Sequence, residues 1–183
     1  MGTADVQLAM HKLAHDLEEA GIPYAIAGAM ALNEYGYERV TRDVDVLLTR
    51  EGLERFKTLF LGRGYVEKFP GSKGVRDTTN NVAIDVLVSG DYPGDGKPKP
   101  IAFPNPLDVA VRGSKVALLP LATLVELKLA SGMTAPHRLK DLADVLELVR
   151  SARLPADFAE GLHPYVREKF RELWAAAQGQ DDE

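Results

Sequence analysis

In the stretch RVTRDVDVLLT, Arg39–Thr49, two aspartates, Asp43 and Asp45, stand one residue apart at the mouth of an otherwise apolar run. A β-strand sends alternate side chains to opposite faces, so both carboxylates share one face with Cα atoms about 7 Å apart, while Val44 and Val46 take the other. Like charges at that spacing repel and resist desolvation, so either water solvates a strand end or a cation binds. A third carboxylate, Asp85, lies in NNVAIDVLVSG, where Val82, Ile84, Val86 and Val88 alternate with Ala83, Asp85, Leu87 and Ser89. If the two strands are neighbours, Asp85 faces the gap between Asp43 and Asp45. Three hard oxygen donors on one sheet edge suit Mg²⁺ or Mn²⁺. Two such ions about 4 Å apart would stabilise both the attacking and the leaving oxygen of a phosphoryl displacement. An Asp-x-Asp pair by itself also marks strand ends and helix caps, and leaves both readings open. A calcium loop is a poor fit, because Leu47 stands at its third ligand position and no glycine or distal glutamate follows in register.

Other residues near this pair could meet phosphate. AGAMALNEYG places Gly28 at the end of a short apolar strand and at the entrance to a helix, where free N–H groups and the helix dipole attract anions, although a turn also calls for glycine there. Arg39, Thr41 and Arg42 precede the aspartates and either clamp phosphates or remain solvated loop groups. Lys128 shares a helix face with Leu121, Leu124 and Val125, where a lysine either snorkels to water or meets an anion. Lys73 and Arg76, in GSKGVRDTT, read as surface charges of a glycine-rich hairpin or as contacts to acceptor or phosphate. Arg138 with Asp141 and Lys140 with Asp144 have the spacing of local ion pairs on a helix whose buried stripe is expected to be Leu139, Leu142, Ala143 and Leu146. The four histidines are scattered without metal or nucleophile spacing.

These groups need a scaffold. Periodicity predicts a helix over 3–20, a strand at 24–27, a short helix after Gly28, the Asp43 strand, a helix in EGLERFKTLFLGRG and the Asp85 strand. GDYPGDGKPKPIAFPNP, residues 90–106, carries five prolines and must be a surface loop, with a lid or flap as its expected role. Short strands at 109–111 and 116–118 follow, then three amphipathic helices and a polar tail, GQDDE. Trp174, Phe170 and Tyr165 read as core of the last helix. The layout is an α/β core over 1–120 and a helical segment over 121–183, packed as one compact unit. At 183 residues one well-buried core is within reach. No apolar run approaches the roughly 20 residues of a membrane span, and the N-terminus has no export signal, so a cytoplasmic location and no membrane partner are expected. Zero cysteines leave only oxygen and imidazole as metal ligands. A net charge of -5 argues against a broadly basic nucleic-acid surface.

IAGAMALNEYGYERVTRDVDVLL, followed at a distance by IDVLV, resembles the signature of the polymerase-β-like nucleotidyltransferase superfamily: a glycine turn, a short helix, an Asp-x-Asp strand and a later strand with a third Asp. GSKVALLPLATLVELKLAS and HRLKDLADVLELV resemble the helical tail of small bacterial members, including abortive-infection and toxin-antitoxin types. The resemblance implies a nucleotidyltransferase-type mixed sheet flanked by helices, with a C-terminal helical extension. It implies transfer of a nucleoside monophosphate from a nucleoside triphosphate, such as ATP, to an acceptor hydroxyl, with pyrophosphate leaving. Asp43 and Asp45 would hold Mg²⁺ or Mn²⁺, Asp85 would complete the metal site or orient the hydroxyl, and Lys128 would approach the nucleotide. The family has Gly-Gly or Gly-Ser at the turn; Ala29 here leaves only backbone N–H groups for the phosphate. The acceptor stays open among tRNA, protein and small molecule. Two rivals remain: an inactive nucleotide-binding or toxin-antitoxin partner module of the same fold, and a sugar-nucleotide glycosyltransferase, whose binding domain needs more chain ahead of Asp-x-Asp than the 42 residues present.

Overall fold

A computed structural model describes residues 2–179, so the tail Gln180–Glu183 lies outside the described residues. The described chain divides into two units, one formed by 2–34, 38–90 and 104–119, the other by 35–37, 91–103 and 120–179.

The first unit carries α1 (Thr3–Glu19), β1 (Ala25–Ala27), α2 (Gly28–Glu34), β2 (Asp43–Leu48), α3 (Arg50–Phe60), β3 (Tyr65–Glu67), β4 (Val75–Asp77), β5 (Val82–Val88), the single helical turn α4 (Pro106–Val109), β6 (Val111–Arg112) and β7 (Ala117–Leu118). The strands form one mixed sheet in the order β3-β4-β5-β2-β1-β7-β6. The two central strands, β2 and β5, run parallel. β1 pairs β2 antiparallel, and β4 pairs β5 antiparallel. A parallel pair needs a crossover, which α3 and the β3–β4 hairpin supply together. Thr49 starts that helix by accepting the Gly52 N–H at 2.9 Å, an N-cap worth about 1 kcal/mol.

The core follows from strand parity. Val44, Val46, Leu48, Ile84 and Val88 share one face of β2 and β5 and are fully buried. α1 and α3 pack against these two strands, and the apolar stripe Val6, Met10, Leu13 and Leu17 of α1 is buried with them. Tyr65, Phe56 and Phe60 form an aromatic cluster at one end, with the Phe56 and Tyr65 rings edge-on at 4.9 Å. The expected strand at 109–111 is displaced: Pro106, with Asn105 capping the Leu107 N–H, turns 106–109 into helix, and the strand starts at Val111.

The second unit contains α5 (Leu121–Thr134), α6 (Leu139–Ser151) and α7 (Pro164–Gln178), with 3₁₀ turns at Pro136–Arg138 and Ala156–Gly161. Phe170 is buried, while Trp174 is half-buried and donates its indole N–H to the Leu154 carbonyl at 2.9 Å. The stripe expected on α6 is shifted. Leu139 is 66% exposed and Ala143 is exposed, whereas Asp144, Val145, Leu148 and Val149 are buried. The expected pairs are corrected as well, since Asp141 and Asp144 both turn to Lys128 of α5, at 3.2 and 2.9 Å. A buried carboxylate needs a partner, and that partner is on another helix. The Pro-rich segment is irregular as its composition dictates, but it is fastened. Lys99 donates to Asp95 and to the carbonyls of Pro93 and Lys97. Gly94, at φ +74, lies so close to α5 that a β-carbon there would come within 2.9 Å of the Ser131 carbonyl oxygen.

Among the described residues no helix is long and apolar enough to cross a membrane.

Candidate active site

The site is built on β2 and β5. Their register pairs Asp43 with Ala83, Asp45 with Asp85 and Leu47 with Leu87. Paired residues on adjacent strands lie about 4.8 Å apart and point the same way, so Asp43, Asp45 and Asp85 share one sheet face. All three are half-buried, on the face opposite the buried Val44, Val46 and Ile84. β1 extends the row on the far side of β2, with Ala27 paired to Asp45. Gly28 follows, in the left-handed conformation at φ +59, and passes directly beneath the Asp45 carboxylate. A β-carbon at Gly28 would lie 2.7 Å from the Asp45 Cγ, so both its backbone angle and its neighbour require glycine. Ala29 is buried in the first turn of α2.

The loop before β2 holds the other predicted residues of this unit. Thr41 Oγ1 donates to Asp43 Oδ1 at 2.7 Å, fixing that carboxylate at the strand mouth. The Arg39 backbone N–H donates to Asn33 Oδ1 at 2.9 Å, tying the loop to α2. Arg42 is exposed. Lys128 belongs to the second unit and forms its own network: its ammonium meets Asp141 and Asp144, and Ser131 Oγ donates to Asp141 at 2.6 Å.

One functional candidate escaped the sequence reading. Lys68, just after β3, places its Nζ 2.6 Å from Asp85 Oδ1. The signal lay in the glycine of SKGV. Gly74 precedes β4 between Lys68 and Asp85, and only a residue without a side chain lets the lysine cross. Arg76, by contrast, donates to the Asn81 carbonyl and side chain within the β4–β5 turn.

Three carboxylates on one face form a hard-oxygen donor set of the kind that Mg²⁺ or Mn²⁺ takes. The Lys68 ammonium on Asp85 shows that this row already accommodates a positive charge. Among the described residues no group of three acidic or imidazole side chains is arranged so that it could hold a metal ion. Thr41 and Lys68 each hold one of the three carboxylates in another hydrogen bond.

No protein-family model matches the chain, and no curated protein matches it. Solved structures do. ANT(2'')-Ia in complex with adenylyl-2''-tobramycin is 14% identical, with a TM-score of 0.56 over 98% of this chain and 99% of that one. An antigenic nucleotidyltransferase-like protein from Paracoccidioides brasiliensis is 15% identical, with a TM-score of 0.55 over 100% and 91%. JHP933 from Helicobacter pylori is 17% identical, with a TM-score of 0.51 over 96% and 90%. The chain thus shares the fold of these solved structures, a mixed sheet flanked by helices.

Proposed function

We propose that the protein is a metal-dependent nucleotidyltransferase, moving a nucleoside monophosphate from a nucleoside triphosphate to an acceptor hydroxyl with release of pyrophosphate. The observation that carries this reading is the row in which Asp45 and Asp85 are paired across β2 and β5 with Asp43 on the same face. The fold shared with ANT(2'')-Ia and the nucleotidyltransferase-like protein supports it.

Asp43 and Asp45 would hold Mg²⁺ or Mn²⁺, with Asp85 as the third ligand. When bound, the divalent ion supplies neutralisation of the triphosphate charge against this acidic row. The chain's own groups then position the reactants. Thr41 fixes the Asp43 carboxylate, and Gly28 keeps the space beneath Asp45 open. The backbone N–H of Ala29 and the side chains of Arg39 and Arg42 meet phosphate oxygens. Asp85 stands where it can accept a hydrogen bond from the acceptor hydroxyl and orient its oxygen for attack. Any phosphate that met Lys128 would compete with Asp141 and Asp144 for its ammonium.

Small molecule, tRNA and protein all offer hydroxyls. The small-molecule class comes first, because one structural neighbour, ANT(2'')-Ia, is in complex with adenylyl-2''-tobramycin. A second reading, a nucleotide-binding or toxin-antitoxin partner module without turnover, draws on Ala29, which offers no hydroxyl to phosphate.

The test is a screen of the four labelled triphosphates with Mg²⁺ or Mn²⁺ against aminoglycoside, tRNA and protein acceptors. Asp43→Ala and Asp45→Ala should each abolish transfer while leaving the circular dichroism spectrum intact. Transfer that persisted in both variants would overturn the mechanism. A wild-type protein that bound triphosphate and never transferred it would establish the second reading.

A further inference from the structure

Lys68 reaches Asp85 by a route that the sheet register makes specific. β3 pairs β4 antiparallel with Glu67 opposite Val75. One step further Lys68 stands opposite Gly74, and the Lys68 N–H donates to the Gly74 carbonyl at 3.2 Å. β4 pairs β5 with Val75 opposite Ile84. One step further in the same direction, Gly74 stands opposite Asp85. A single row therefore crosses the sheet: Lys68, Gly74, Asp85, Asp45. Two strand spacings, about 10 Å, separate Lys68 from Asp85, and the lysine stem and the Asp85 carboxylate close that gap between them by meeting across the middle position. A β-carbon on Gly74 would lie 2.7 Å from the Lys68 Cδ and 2.9 Å from the Ile84 carbonyl oxygen. The stem occupies the space that glycine leaves.

The hairpin that carries Lys68 is also held in place. Gly71 N–H donates to Glu67 Oε2 at 2.6 Å, and Lys57 of α3 binds both Glu67 and the Ser72 carbonyl. A surface lysine loses side-chain entropy on being ordered, so one led past a glycine to one of three acidic groups meets a specific charge demand.

We propose that Lys68 is the resident counter-cation of the aspartate row and competes with the divalent ion for Asp85, so that metal loading and release of Lys68 from Asp85 are a single coupled event. This rests on the metal-dependent reading above. Linkage then requires that whatever removes the Lys68 ammonium tightens metal binding, through Asp85 and through no other group.

The test is calorimetric titration of Mn²⁺ alone into wild type, Lys68→Met, Lys68→Gln, Lys68→Arg, Asp85→Asn and the Lys68→Met/Asp85→Asn double variant. Two neutral replacements guard against one that fails to fold. Either neutral variant should bind Mn²⁺ about fivefold tighter or more, and Lys68→Arg should stay near wild type. In the Asp85→Asn background Lys68→Met should change nothing. Unchanged affinity in both neutral variants overturns the proposal, as does an equal gain in the Asp85→Asn background, which would show only the diffuse effect of a removed charge. Folded wild type and variants that all fail to take up Mn²⁺ would instead overturn the metal-dependent reading itself.

Discussion

Gly28 and Asp45 share one small volume: a β-carbon added to the glycine would come within 2.7 Å of the aspartate Cγ and 3.0 Å of its Cβ. Gly28 also sits at φ +59, where an L-residue pays about 1–2 kcal/mol. Gly28→Ala should therefore do two things at once, lowering stability by about that amount and pushing the Asp45 carboxylate out of line with Asp85. Urea unfolding reads the first, and Mn²⁺ titration the second. A variant with reduced stability and undiminished Mn²⁺ affinity would show that Asp45 moves aside without consequence.

Lys12 and Asp77 form a part-buried ion pair in the first unit. The Asp77 side chain is 0% exposed and meets the Lys12 ammonium at 2.5 Å, the Thr79 N–H at 3.0 Å and the Asn80 side-chain amide at 2.7 Å. Burial alone would push its pKa up, but the Lys12 ammonium, the Asn80 amide and the Thr79 N–H outweigh burial and hold it below the usual carboxylate value. A depressed folded pKa stabilises the protein above the unfolded value near 4, and that contribution is lost as pH falls through the folded one. Lys12→Met should cost about 3 kcal/mol at neutral pH, the low end for a broken buried pair because Lys12 is 26% exposed. In Asp77→Asn, stability should fall less between neutral pH and pH about 3 than in wild type. Denaturant midpoints across that range check both; parallel acid loss in the two proteins would remove Asp77 from the account.

What sequence reasoning could reach follows from the range of the signal. Strand parity is local, so Asp43 and Asp45 could be placed on one face and Asp85 on its own face from alternation alone. β3 and β4 are three residues each and contain Glu67, Arg76 and Asp77, too short and too charged to stand out from the turn between them. Lys68 left only the glycine of SKGV as a trace, for a related reason: its contact exists only through the register of three successive strands and an absent side chain at Gly74. On α6, apolar spacing selected Leu139 and Ala143, but the buried face is shifted by a position because it includes Asp144. No helical periodicity reveals that a charge is buried with a lysine thirteen or more residues upstream.

Tyr24 offers a test at the opposite end of the pH scale. Burial, and then donation of its hydroxyl to Glu18 at 2.7 Å, pushes its pKa up to about 12 from an ordinary 10. A raised folded pKa means that the contribution is complete below pH 10 and disappears as pH climbs through the folded value near 12. Near-ultraviolet phenolate absorbance should show Tyr24 still neutral at pH about 11, and Tyr24→Phe should remove a late titration step while costing about 1 kcal/mol in the neutral range. Loss of an early step instead would place the phenol in contact with water.

Lys128 is the residue whose role can be read from stability alone. Its ammonium lies 2.9 Å from Asp144, whose side chain is 3% exposed, and 3.2 Å from Asp141, which also accepts the Ser131 hydroxyl at 2.6 Å. Removing the cation leaves a desolvated carboxylate behind, so Lys128→Met should cost about 3 kcal/mol. For a chain of this size each kcal/mol moves the melting temperature by about 2–4 °C, so a fall of roughly 6–12 °C is expected. Lys128→Met/Asp144→Asn should recover part of that loss, because the uncompensated charge is gone. Scanning calorimetry separates the alternatives cleanly: an unchanged melting temperature in Lys128→Met would mean that the ammonium is not needed to hold α5 to α6 and is spare for an anionic ligand, whereas the predicted fall makes it first a structural cation, which any phosphate would have to win from two aspartates.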